Sequence, residues 1–475
     1  MIVWLAAARA AEPPVDPEDT ARADLRTIET FPGSFVLDQD GTRLEAGPVF
    51  DTRLRLQGTL HQGPLRAEGQ LDLFSGQLAG RPWNLGPEDE RRRDTRDALS
   101  LAGVVPRVAT LGVRAPWFDA EAGLALSDWG LGLVANGGER EPLFGRTDFG
   151  DRVLRLRIAT TPARDVPLYL IVAGDRVVAD DLARWSEDDV AWQALCAGLY
   201  ARDEHAAGLY VVGRTQRDAD DLGTRAVVAD AYLAGRRSLG PWTVRAAAEG
   251  ALIRGRTDVA ASYAAAADVP VRSEGLVVVG SATRDRWTAH ARLALASGDR
   301  TPDDGRVTDF RFDRDYDVGF VLFDELVADL DLAAFHQATD PSVVATPSPG
   351  AETLVAEGAF HQAAAAQPAI ELRAGRWVTV RAGAVFAWST APIAQPYATF
   401  RNGGVPTNHL GVPTGGRYLG TELDAAAWIA DTSPSDEPRA RPSAGLQVGA
   451  AFPSTDLAPE VSRLDHVLVV GQLAF

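Results

Sequence analysis

The sequence predicts an all-β protein, a transmembrane antiparallel β-barrel of about 18 strands, with 16 strands as the alternative count. Three observations predict it. Polar and apolar residues alternate along most of the chain, the final segment is itself such a strand, and no run approaches the roughly 20 apolar residues of a spanning helix. A net charge of −18, without basic runs that carry interleaved aromatic residues, argues against nucleic acid as a partner. The single cysteine, Cys196, excludes an intrachain disulfide.

The N-terminal 32 residues differ from the rest of the chain. Residues 1–11 (MIVWLAAARAA) are apolar and end in Ala-Arg-Ala, which is typical of a secretion signal; a short apolar N-terminus is the alternative. Residues 12–32 are acidic and rich in proline, and we interpret them as a mobile leader. The barrel is then expected over residues 33–475, in the outer membrane of a Gram-negative bacterium.

A period of two residues identifies the strands. In residues 53–61 and 65–73, leucines, alanines and glycines alternate with arginine, glutamine and acidic residues. A soluble sandwich alternates as well, but the many segments of strand length favour a membrane barrel, whose tilted strands need about 9–11 residues. The predicted strands are 33–39, 50–61, 64–75, 105–114, 122–135, 151–161, 166–174, 188–202, 205–215, 222–236, 241–254, 271–283, 286–298, 353–365, 374–388, 418–430, 441–452 and 465–475.

The last predicted strand is the most specific signal. Its apolar residues follow one another at steps of two and end at the final residue of the chain: Val467, Val469, Gly471, Leu473 and Phe475. This resembles the closing strand of bacterial outer-membrane barrels, whose terminal aromatic residue is recognised during assembly. The resemblance implies the barrel-assembly machinery as a partner.

Loop lengths support an even strand count. Short connections such as 62–63, 203–204 and 284–285 fall on one side of the predicted sheet, and long ones fall on the other. The longest connection, 299–352, contains a stretch that departs from period two and places four apolar residues on one helical face: Phe320, Phe323, Val327 and Leu330. We expect this segment to fold into the pore as a constriction; one more strand is the alternative.

Three stretches, 127–151, 310–326 and 418–429, resemble the alginate-export type of outer-membrane porins. They also resemble a related barrel family of unassigned role from myxobacteria and other deltaproteobacteria. The resemblance covers most of the mature chain. It implies one large outer-membrane barrel that passes a solute or a polysaccharide.

If the apolar residues face lipid, the alternating charged residues face the lumen, because an arginine in contact with lipid near the bilayer midplane costs roughly 2–4 kcal/mol. Acidic residues expected on the same face are Glu68, Asp72, Glu249, Glu422 and Asp424. The arginines either guide anions through the pore or pair with these acids and brace the wall. The predicted lumenal arginines are Arg53, Arg55, Arg66, Arg155, Arg157, Arg245, Arg292 and Arg381.

The leading functional hypothesis is a passive channel for diffusion or export of a hydrophilic solute or saccharide, and the lumenal arginines make an anionic solute the narrower hypothesis. A structural or surface-binding barrel with a plugged pore is the alternative, and a barrel enzyme is a second one, for which the sequence offers no catalytic motif. No cofactor or metal site is expected. The expected surroundings are outer-membrane lipid and lipopolysaccharide, and we favour a monomer.

Overall fold

The computed structural model describes residues 19–44, 47–80, 103–147, 150–162, 166–259, 268–300, 305–339, 356, 358–430 and 441–474. The expected signal segment 1–11 and the terminal Phe475 lie outside these residues. Within them, eighteen strands form a single antiparallel sheet, and β1 pairs with both β2 and β18, which closes the sheet into a barrel. The predicted all-β barrel and its count of eighteen strands are confirmed.

Each strand pairs with its neighbours along the chain, so the barrel is built entirely from consecutive antiparallel hairpins. The strands are β1 Thr20–Phe31, β2 Val49–Gln62, β3 Leu65–Gly80, β4 Val104–Ala115, β5 Phe118–Leu126, β6 Arg152–Thr160, β7 Leu168–Ala179, β8 Val190–Arg202, β9 His205–Arg217, β10 Gly223–Leu239, β11 Trp242–Thr257, β12 Val269–Arg284, β13 Trp287–Ala296, β14 Ala363–Ala374, β15 Val378–Ser389, β16 Tyr418–Ala430, β17 Arg441–Pro453 and β18 Leu464–Ala474. Helical elements are a short 3₁₀ turn Trp185–Glu187, a π-helical turn Leu322–Val327 continued by α1 Ala328–Thr339, and α2 Pro396–Arg401.

The interpretation of residues 12–32 as a leader is wrong for residues 20–31, which form β1. Its inward face is charged, with Asp24 close to Arg53 of β2, so the strand has the composition of a solvated leader. The strand predicted at 33–39 is wrong too. Phe35 and Leu37 belong to the connection between β1 and β2, and they are apolar because they are buried in the core inside the barrel.

Two other predicted strands are misplaced for a similar reason. The prediction 122–135 runs past the end of β5 at Leu126 into a segment whose Trp129 and Leu133 are buried inside the barrel. The prediction 353–365 shares only its last three residues with β14, which begins at Ala363; Ala359 and Phe360 before it are buried in the interior, and residues 353–355 and 357 lie outside the described residues. Apolar residues that pack inside the lumen thus imitate strand residues that face lipid.

The outward face of the barrel is apolar. Leu156 and Leu209 are 62% and 65% exposed, as expected for side chains that contact hydrocarbon in a membrane. Exposed tryptophans lie at the strand ends beside the short turns, where an aromatic girdle meets the headgroups: Trp117, Trp242, Trp287 and Trp377. Exposed aromatic residues at the opposite strand ends include Trp192, Trp388 and Tyr418. Among the described residues, no helix has the length and apolar character needed to cross a bilayer.

The connections alternate between short turns and long loops around the barrel, as the sequence predicts. The end with short turns is the periplasmic end of bacterial outer-membrane barrels, and the long loops are extracellular. Several long loops fold back between the walls. The largest fully buried side chains include Phe144, Phe310, Phe312, Phe323 and Phe360, and all five come from these loops.

Candidate channel and plug

Two loop segments lie inside the barrel, and we call them together the plug. The first plug segment is residues 127–147, between β5 and β6, and the second is residues 310–334, between β13 and β14. They contact each other directly: the N–H of Asp313 donates to the carbonyl of Leu133 over 2.9 Å. Aromatic side chains of the second segment pack together, with the rings of Phe312 and Tyr316 5.4 Å apart.

The second plug segment is held by a carboxylate of the wall. Glu422 of β16 is fully buried, and it accepts hydrogen bonds from the backbone N–H groups of Phe320, Val321 and Leu322. The distances are 2.7, 3.2 and 2.6 Å. These N–H groups lie at the start of the π-helical turn, where no preceding turn supplies carbonyl groups to accept their hydrogen bonds. A carboxylate is therefore a favourable acceptor for them. Asp424, two residues along the same strand, is buried on the same inward face.

The first plug segment is held in the same way at another part of the wall. Glu249 of β11 accepts hydrogen bonds from the N–H groups of Leu131 and Leu133, the latter over 3.1 Å. Its neighbour Asp230 of β10 accepts one from Trp129 Nε1 over 2.8 Å. Buried carboxylates of the wall therefore anchor both plug segments, Glu249 and Asp230 the first and Glu422 the second. The sequence placed Glu249, Glu422 and Asp424 on the inner face without revealing this role.

Glycines of the wall provide room for the aromatic rings of the plug. A Cβ atom added to Gly275 of β12 would overlap the ring of Phe310, and one added to Gly449 of β17 would overlap Phe320 and Val321. Sequence reasoning missed these positions because small residues occur on both faces of the strands. The spacing alone does not say which glycines have a ring against them.

The four residues predicted to form a constriction lie within this packed core. Phe320, Phe323 and Leu330 are 2%, 1% and 6% exposed, and Val327 is half-buried against the same core. Phe323, Val327 and Leu330 fall on a helical element within the barrel, Leu322–Thr339, and Phe320 lies two residues before it. Their side chains contact the core instead of open water, so any narrowing comes from the bulk of the segment.

Polar contacts join the plug to strands all around the barrel. Arg107 of β4 donates to the carbonyl of Gly137, and Gln447 of β17 exchanges hydrogen bonds with the backbone of Gly145. Further contacts come from Arg26 of β1 to Thr147, Arg381 of β15 to Leu143, Arg292 of β13 to Asp317, and Asp51 of β2 to Arg146. The plug thus spans the lumen from wall to wall.

The predicted lumenal arginines project into the barrel, and most of them have an acidic partner. Arg55 forms a two-point contact with Asp72, at 2.6 and 2.8 Å, and also reaches Glu139 of the first plug segment. Arg292 instead contacts the Asp317 carbonyl and lies over the Tyr316 ring. The other pairs are Arg53 with Asp24, Arg66 with Glu121, Arg155 with Asp175, Arg157 with Asp119, Arg245 with Glu204, and Arg381 with Glu371.

Below the plug, toward the periplasmic turns, the lumen contains a cavity of 860 Å³, which we call the vestibule. Its walls are strongly charged but balanced, because its lining residues include six arginines and six carboxylates. The arginines are Arg140, Arg236, Arg245, Arg292, Arg373 and Arg381, and the acids are Glu141, Asp203, Glu204, Asp315, Asp317 and Glu371. Arg53, Arg55, Arg66, Arg155 and Arg157 are not part of this lining.

Acidic residues also meet where the plug packs against the extracellular ends of the strands. Burial, reinforced by the carboxylates of Asp151, Asp181 and Asp315, raises the pKa of Asp313 well above its ordinary value. Asp313 nevertheless keeps one partner, since it accepts a hydrogen bond from the N–H of Asp315 over 2.9 Å. Within the described part of the chain, no three acidic, histidine or cysteine residues are placed to share a metal ion.

Solved structures share the architecture of this chain. The crystal structure of Pseudomonas aeruginosa OpdK with vanillate matches 96% of this chain and 98% of its own, with a TM-score of 0.51 and 14% identity. Another crystal structure of OpdK from the same organism, an outer membrane protein, covers 96% and 99%, with a TM-score of 0.50 and 13% identity. At these identities the likeness shows the fold alone. No family model matches the sequence, and no curated protein does.

Proposed function

We propose that this protein is an outer-membrane channel for small hydrophilic solutes, with a conductance limited by the plug. The observation that carries the proposal is the charged vestibule inside a barrel with an apolar outer surface, since a charged lining suits water and polar solutes. The structural neighbours are porins, which favours a channel over a barrel enzyme.

The charge of the vestibule bears on which solutes would pass. Because arginines and carboxylates balance in its lining, we propose weak ion selectivity and passage of small polar or zwitterionic solutes. Ion pairs such as Arg155–Asp175 support wall bracing over a ladder of free positive charges. Transport of an anionic solute, or of a polysaccharide as the resemblance to alginate-export porins implies, remains a prediction.

A planar-bilayer recording of single channels tests the proposal. We expect a small conductance for the full chain and a several-fold larger one when residues 310–335 are deleted, because the deletion removes the second plug segment. A matched control replaces the exposed turn 218–221 by Gly-Ser residues and is expected to conduct like the full chain. Absence of conductance in all three proteins would contradict the channel.

A barrel with a permanently plugged pore is the second candidate. It is favoured by the contacts of the plug with strands around the circumference, from Arg26 of β1 to Gln447 of β17. In the same recordings, this candidate predicts silence from the full chain and conductance from the deletion variant alone.

A further inference from the structure

Arginines of the outer surface form a cluster that the channel hypothesis does not use. Arg225 of β10 pairs directly across the sheet with Arg256 of β11, and Arg254 of β11 pairs with Arg272 of β12. All four side chains are exposed and have the outward parity of their strands, opposite to the inward Asp230 and Glu249. We call these four residues the outer arginine cluster.

The cluster lies at a definite height on the barrel. The outward residues next in line toward the periplasm are Val227 on β10 and Leu252 on β11, which are 50% and 47% exposed. On β12, Glu274 intervenes before the exposed Leu276. The arginines therefore stand at the extracellular edge of the apolar surface, at the level where lipid headgroups begin.

The charge of the cluster is only partly compensated. Arg256 pairs with Asp268 over 2.6 Å, and Arg254 donates to the carbonyls of Ile253 and Ser273. Within the residues that the structure describes, Arg225 and Arg272 form no ion pair. Side chains of like charge directly opposite each other weaken an antiparallel sheet, so this arrangement favours an anion that bridges them.

We propose that the outer arginine cluster binds the phosphate groups of an anionic glycolipid of the outer leaflet, the lipid A part of lipopolysaccharide. A guanidinium presents a planar fork of donors that matches phosphate oxygens, and several forks on adjacent strands suit a lipid with two phosphates. The acyl chains of that lipid would lie against the apolar surface directly below. The proposal relies on the outer-membrane setting but not on conduction, so it stands or falls independently of the channel.

Binding of defined lipids to the purified barrel in detergent with EDTA tests the proposal, because EDTA removes divalent cations that could bridge phosphates to acidic residues. The probes are diphosphoryl lipid A, the same lipid without phosphate, and inorganic phosphate. We expect the wild-type protein to prefer diphosphoryl lipid A, and the variant R225Q/R254Q/R272Q to lose about 100-fold in affinity for it.

The matched control is R202Q/R237Q/R284Q, which removes the same number of exposed arginines from the periplasmic ends of β8, β10 and β12. It is expected to bind diphosphoryl lipid A like the wild type. Heat-dependent gel mobility checks that each variant is folded; if the triple variant is not, R272Q alone should still lower the affinity several-fold. Equal binding of the phosphorylated and unphosphorylated lipids, or equal losses in the two variants, would overturn the proposal.

Discussion

The extracellular and periplasmic halves of the lumen differ although the same strands line both. In the extracellular half, wall residues such as Gly275 and Gly449 meet aromatic rings of the plug, and buried carboxylates accept its backbone N–H groups. In the periplasmic half, arginines and acids surround an 860 Å³ vestibule. The extracellular half of the lumen is therefore packed like the core of a soluble protein, whereas the periplasmic half is open and charged like a channel.

Removing the carboxylate of Glu422 should have the largest effect on this contrast. Glu422→Ala leaves three N–H groups of the second plug segment without their acceptor, and we expect about 3 kcal/mol lower stability of the docked plug. The expected result is a larger mean conductance with frequent switching between levels in single-channel recordings. Glu422→Gln keeps an acceptor oxygen and should fall between the wild type and Glu422→Ala. A silent or unchanged recording for Glu422→Ala would show that this anchor does not control the lumen.

Replacing a glycine of the wall that contacts the plug by a larger residue should have the next largest effect. In Gly275→Leu the new side chain overlaps the Phe310 ring, and overpacking of this kind costs about 1–3 kcal/mol. We expect a lower temperature for loss of the folded band on gels. The control is Gly174→Leu on β7, where an added Cβ meets nothing within 4 Å. Equal losses in both variants would mean that the contact with the plug is irrelevant.

The pH dependence of stability should reveal the buried acids where the plug packs against the extracellular ends of the strands. The pKa of Asp313 is raised in the folded protein, so folding takes up a proton, and stability falls as pH rises from the ordinary carboxyl pKa of about 4 toward the raised value. Asp313→Asn keeps the acceptor for the Asp315 N–H, so it should flatten this fall and raise the stability at neutral pH. Denaturant unfolding of the wild type and of Asp313→Asn across that pH range measures how the free energy of unfolding changes with pH.

The exposed Asp220→Asn is the control for this experiment and should leave the pH profile unchanged. A profile for Asp313→Asn that is as steep as that of the wild type would contradict the assignment of the slope to Asp313.

Neutralising one vestibule arginine should have the smallest effect. Arg373 is a half-exposed lining residue, and Arg373→Gln leaves one more carboxylate than arginine in the balanced lining. We expect a small shift of the reversal potential toward cation preference in a salt gradient. Arg202→Gln, on the outer surface at the same end of the barrel, should cause none. A shift toward anions would show that the lining charges do not set selectivity.

The wall of the barrel could be predicted from the sequence because its signal is local. Alternation at Leu54 and Arg55, or at Leu156 and Arg157, states which side chain meets lipid and which meets the lumen. The first strand escaped prediction because its inward face carries Arg22, Asp24 and Arg26, which are also typical of a polar leader.

The plug could be predicted only in outline. The departure from period two near Phe320 indicates a helical segment, but nothing in the local pattern pairs it with Glu422, 102 residues away along the chain. Likewise Phe35, Trp129 and Leu133 are apolar for the same reason as a lipid-facing leucine, namely exclusion from water. The period of the sequence pattern indicates which side chains are excluded from water. Only the closed barrel shows whether lipid or protein covers them.

The seam of the barrel, where β1 meets β18, has a consequence for assembly. The plug contacts both strands there, through Arg26 with Thr147 on one side and the edge-to-face rings of Phe320 and His466 on the other. Joining the two ends of the sheet and seating the inner loops therefore reinforce each other.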